Sequence, residues 1–132
     1  MKSLADFCSA YGDLHDAVIE NIDISYGYGP QYPLITVHLA CMSLIKNEDW
    51  VFLEIQFYGV REFKFLKLPK TDNEVIYGSS VSYWDNRIIF NFDVYDSAPL
   101  TIEEHRQSGF YLVCNEFDFK ENFTTARKSP YP

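Results

Sequence analysis

Asp13, His15 and Asp16 form the short cluster whose residue types could do chemistry. A histidine between two carboxylates can act as a general base or help to hold a metal. A metal would need a third and a fourth ligand, and His38 and His105 stand at spacings that predict no convergence. The competing reading is structural: Asp13 or Asp16 caps a helix-to-strand turn while His15 bonds to backbone. Cys114 with His105 offers a thiol and a base, but no nucleophile elbow, glycine-rich phosphate loop or zinc spacing accompanies them. Trp50, Tyr58, Tyr83 and Trp84 are candidates to line an apolar ligand pocket inside a curved sheet, against the commoner use of strand aromatics as core. Asp72, Glu74, Asp93, Asp96, Glu103 and Glu104 could make an acidic face for a basic partner, or only a solvated edge. These patterns assign no catalytic residue, metal or cofactor. The candidate binding residues are Asp13, His15, Asp16, Trp84, Asp93, Glu103 and Glu104.

The elements that must position them are mostly strands. Trp50 to Leu68 is the longest stretch of strand-type residues, with Val51, Leu53, Ile55 and Phe57 on one face. Gly59 breaks it, so it reads as two strands or as one strand bent at a bulge. Before it, Ser3 caps a short helix whose apolar stripe is Leu4, Phe7, Cys8 and Tyr11, stopped by Gly12. A strand from Ala17 to Tyr26 places Val18, Ile22, Ile24 and Tyr26 on a face that Glu20 interrupts. Gly27, Gly29, Pro30 and Pro33 make a loop, and Leu34 to Met42 buries Ile35, Val37, Leu39 and Cys41.

Beyond Pro69, residues 70–74 read as a solvated connection, and Val75 to Trp84 as a strand interrupted by Gly78, Ser79 and Ser80. Trp84-Asp85-Asn86-Arg87 reads as a tight hairpin turn. In the return strand, Arg87 to Tyr95, alternation points Ile88, Phe90, Phe92 and Val94 inward and Arg87, Asn91 and Asp93 outward. Thr101 and Glu104 fit a capping box, which favours a helical turn within Leu100 to Arg106. Phe110 to Phe119 reads as a last strand, with a polar tail from Asn122. The expected fold is α+β over a single domain, 1–132. An N-terminal helix packs on a strongly curved, mostly antiparallel sheet of about seven strands, as a half-barrel or a sandwich.

Composition narrows the partners. Net charge is −8, which repels phosphate backbones and anionic lipid, so nucleic acid and membrane are poor partners and a basic protein a better one. The 3 cysteines, an odd count without a CxxC pair, and the lack of a signal-peptide pattern predict reduced thiols in a cytoplasm. Open sheet edges are compatible with a monomer or a homodimer.

Leu14-His15-Asp16-Ala17, followed by a strand pair and then by Phe57-Tyr58-Gly59-Val60-Arg61-Glu62-Phe63, resembles a group of small bacterial proteins. Some of that group are assigned as immunity proteins of polymorphic toxin systems. The likeness covers about the first half of the chain. It implies a cytoplasmic, non-catalytic α+β protein that neutralises a cognate toxin by binding it, and it carries over no catalytic residues. The expected function is therefore a binding protein of immunity type. The alternative is a small-ligand binding domain using the concave face of the sheet.

Overall fold

The alternation from Trp50 onward builds the middle of the fold. In a computed structural model, which describes residues 3–47, 49–66, 75–76, 78–95 and 97–121, strand β3 spans Asp49–Tyr58. Its inward residues Val51, Leu53, Ile55 and Phe57 are all buried. It lies between β2 (Leu34–Ser43) and β8 (Glu116–Glu121), with β1 (Val18–Ser25) outside β2. The second sheet runs β4 (Glu62–Phe65), β7 (Phe110–Cys114), β6 (Arg87–Asn91) and β5 (Ser80–Trp84). All described strand pairings are antiparallel.

Among the described residues, eight strands thus fall into two four-stranded sheets, where alternation suggested about seven strands in a strongly curved sheet, as a half-barrel or a sandwich. The difference comes from two places where the chain changes sheet. Gly59 takes φ +61°, and a Cβ there would meet the Asn115 side chain at 2.5 Å and the Pro30 carbonyl oxygen at 3.0 Å. Only glycine relieves both problems at once. The stretch read as one bent strand or two is therefore two, in different sheets. The strand expected over Phe110 to Phe119 likewise divides at Asn115, whose N–H donates to Tyr58 O at 3.0 Å beside the first crossing. Alternation within each piece is correct; it cannot report that the partner strand changes.

Between the sheets lies one core. Phe57 of β3 meets Phe90 of β6 at 4.8 Å between ring centroids, and Phe90 meets Phe117 of β8 at 5.0 Å. Helix α1 (Leu4–Tyr11) begins in a capping box between Ser3 and Asp6. It does not simply lie on a sheet: Phe7 is fully buried and touches Phe90 from one sheet and Phe117 and Phe119 from the other. Ala10 joins Phe7 and Tyr11 on the buried side, while Cys8, placed on the stripe by spacing, is exposed.

The bulge in β1 changes its phase. Ile19 pairs with Leu39 and Ile22 with Val37, so both face the core across an extra residue, Glu20. Ile24 and Tyr26, expected on the same buried face, are exposed. Helix α2 (Ile102–Arg106) lies on the far side of the second sheet. There Ile102 packs with Ile89, Tyr111 and Val113 in a second, smaller apolar cluster, with Trp84 against it.

The hairpin forms as expected, with Asp85 at φ 52° and Asn86 at φ 61°. Its return strand stops at Asn91, four residues short of the expected Tyr95. The connection expected over 70–74, with its Asp72 and Glu74, lies outside the described residues, as do Pro69, Asp96 and the tail from Asn122. Among the described residues no helix is long and apolar enough to cross a membrane.

Candidate functional site

A groove lies between β5 and the start of α2, on the side of the second sheet that α2 covers. Ser82, Tyr83 and Trp84 of β5, Ile89 of β6, and Pro99, Leu100, Thr101, Ile102, Glu103 and His105 line it, over about 600 Å³. Consecutive strand residues point to opposite faces. A groove lined by three in a row therefore runs along the edge of β5 as well as its outer face. Leu100 is 90% exposed and Tyr83 71%.

Short hydrogen bonds fix the helical wall. The Thr101 hydroxyl accepts from Glu104 N at 3.1 Å, as the capping pattern predicts. The Glu104 carboxylate accepts instead from Leu100 N at 2.9 Å, one residue earlier than a full capping box requires. Arg106 donates to Glu62 from both Nε (3.1 Å) and Nη2 (2.5 Å), and its guanidinium lies 5.7 Å from the Trp84 ring centre. Tyr111 Oη also donates to Glu62, at 2.9 Å. The Arg106 guanidinium beside Glu62 holds its carboxyl below the usual carboxylate range.

Beneath the groove is a buried polar cluster. Asn91 points away from the main core, as alternation predicts, yet is fully buried because α2 covers that face. Its Oδ1 accepts from Asp93 N at 2.8 Å, which leaves its Nδ2 to donate to His105 Nδ1 (3.0 Å) and Ser108 Oγ (2.7 Å). The His105 ring must then carry its proton on Nε2. Burial lowers its pKa from the ordinary value, which keeps it neutral. Asp93 secures the end of this turn by accepting from Gly109 N at 2.7 Å.

Four of the candidate residues thus belong to one region. Trp84 and Glu103 line the groove, Glu104 holds its helical wall, and Asp93 anchors the chain leaving α2. Trp50 and Tyr58, grouped with Trp84 on residue type, belong to β3 in the other sheet; Tyr58 lines a separate hollow with Pro30, Gln31, Asn115 and Glu116. Cys114 and His105 do not converge. The thiol faces the main core, where burial pushes it up to about 12, and the imidazole lies on the opposite face of the sheet. Sequence reasoning missed Asn91 and Ser108, because strand alternation marks a residue as outward and is blind to a helix laid over it.

Asp13, His15 and Asp16 occupy the turn after α1. Asp13 Oδ1 accepts from His15 N at 3.1 Å, and His15 Nε2 stands 3.5 Å from Asp16 Oδ2. Leu14 (φ 57°) and Asp16 (φ 64°) are both left-handed, so the Leu14 side chain turns into the core while His15 stays outside. Asp16 N donates to Ile76 O at 2.8 Å, and Ser79 Oγ to Asp13 O at 2.9 Å, tying the turn to the approach to β5. Among the described residues no group of three or more His, Cys, Asp or Glu could hold a metal ion.

The geometry gives Asp13 the capping role and puts His15 Nε2 beside the Asp16 carboxylate. Asp13→Ala is expected to cost about 1 kcal/mol of stability through the lost turn bond. His15→Ala should change it by under about 0.5 kcal/mol. Urea unfolding of the two variants checks this, and a larger loss at His15 would reverse the assignment. Comparison of the chain with family models, curated proteins and solved structures gives no match.

Proposed function

We propose that this chain is a non-catalytic binding protein of immunity type, which neutralises a basic toxin domain by seating it on the groove between β5 and α2. The observation that carries the reading is the exposure of Leu100 beside Trp84, Ile89 and Ile102, with Glu103 on the wall. An apolar centre with a charged rim is the anatomy of a protein interface. The net charge of −8 favours a basic partner and accelerates its encounter. The buried network supports a structural use of His105, since its Nδ1 lone pair is occupied by Asn91. The alternative, a small ligand on a concave sheet face, has less support, because packed phenyl rings fill the space between the sheets.

The test pairs capture with protection. The tagged chain is used to isolate a partner from its own cells, and the two are then co-expressed. The expected result is a basic toxin whose lethality the wild-type chain suppresses. Leu100→Asp, at an exposed position, should weaken binding at least about thirtyfold without changing the melting temperature. A chain that recovers no toxin and protects no cell overturns the proposal.

A further inference from the structure

Four strands end the two sheets: β1 and β8 in one, β4 and β5 in the other. Exposed edges invite pairing, and proteins commonly protect them with bulges, charges or short length. Here β1 carries its bulge at Glu20. β8 alternates Glu116, Asp118 and Lys120 outward. β4 has only 4 residues, among them Glu62 and Lys64. β5, Ser80–Trp84, has no charge and no proline, and its register with β6 is unbroken. Among the described residues no strand pairs with this edge, and the groove runs along it.

The tight turn makes Trp84 and Arg87 the pair that closes the hairpin. In a two-residue hairpin that pair is hydrogen-bonded, and bonding alternates from there. Ser82 and Ser80 therefore bond to β6, whereas the backbone N–H and C=O of Val81 and Tyr83 face the open side.

We propose that β5 accepts an extended segment of the partner as a ninth strand, with apolar side chains over Trp84 and Leu100 and a Lys or Arg beside Glu103. This rests on the reading that the groove binds protein. Charge decides the occupant. Asp85 at the turn and Glu103 on the wall are exposed, while Arg87 and Arg106 both act on Glu62. A second copy would bring the same acids and another −8 to the contact; a basic strand meets no such repulsion.

The test selects a phage-displayed library of short random linear peptides against the full chain. Binders are then synthesised with N-methyl groups on alternate amides, in each of the two frames. Enriched peptides should alternate β-branched or aromatic residues with Lys or Arg. Methylation in one frame should weaken binding about a hundredfold and in the other less than about threefold, since only one frame faces β5. Tyr83→Pro, which removes one outward N–H, should weaken the unmodified peptide at least about tenfold. Binding that tolerates both frames overturns strand addition and leaves the groove a protein site. No enrichment relative to a Leu100→Asp, Glu103→Lys chain overturns both readings. A wild-type dimer in sedimentation that Tyr83→Pro dissociates makes a second copy the occupant and overturns the basic partner.

Discussion

Phe7→Ala should remove about 3–5 kcal/mol of folding stability, the range for deleting a fully buried phenyl ring. The magnitude follows from where the ring sits. It is wholly buried, and its neighbours Phe90, Phe117 and Phe119 belong to opposite sheets, so their relaxation is limited by both backbones. A domain of this size has a total of about 5–15 kcal/mol, so the variant loses between about a fifth and the whole of its margin. The melting temperature should fall by roughly 10–20 °C. Cys8→Ala, one residue along and exposed, is the matched control and should move it by under about 2 °C. A Phe7 variant that melts within a few degrees of wild type would show that α1 is an appendage and that the sheets hold together without it.

The same residue shows what the sequence made legible. Helical spacing marks Phe7 and Tyr11 as apolar neighbours on α1, and that is correct. Spacing cannot say that the ring enters between two sheets, because that depends on partners many residues away. The strands behave similarly. Val51, Leu53, Ile55 and Phe57 are inward as their period requires, and Asp85-Asn86 turns as its left-handed tolerance requires. Local rules reach this far because each concerns the chain and its immediate neighbours. The division into two sheets depends on Gly59 crossing beside Asn115, a contact between residues distant in sequence.

The candidate site was legible by residue type more than by arrangement. Acidity picks out Glu103 and Glu104, and bulk picks out Trp84, but nothing in a linear reading places them around one groove. Asp13 and His15 attract notice because carboxylates and histidines can do chemistry, yet the left-handed angles at Leu14 and Asp16 give that segment a packing task. Its short pattern puts a leucine inward, a small alanine against the core, and polar residues at the turn, which any chain with this bend would need.

Asn91→Asp should cost about 3 kcal/mol at alkaline pH and reverse the pH dependence that His105 contributes. In the wild type, Asn91 Nδ2 donates to His105 Nδ1, and adding a proton there would set donor against donor. Burial already lowers the ring's pKa from 6.5. As pH falls through that value the unfolded chain takes up a proton that the folded site refuses, so wild-type stability declines. With a carboxylate in place of the amide, Asp93 N keeps its acceptor, the Ser108 hydroxyl must turn from accepting to donating, and a charged ring gains a partner. The folded pKa of His105 then rises above 6.5. Its contribution is complete below that value and is lost as pH climbs through the raised one. Glu104, beside it on α2, acts in the same upward direction in both proteins and cancels in the comparison. Denaturant unfolding at mildly acidic and mildly alkaline pH, with NMR titration of the His105 ring, reads both effects. Parallel slopes for the two proteins would mean that His105 does not sense position 91, and that the buried network does not fix its charge.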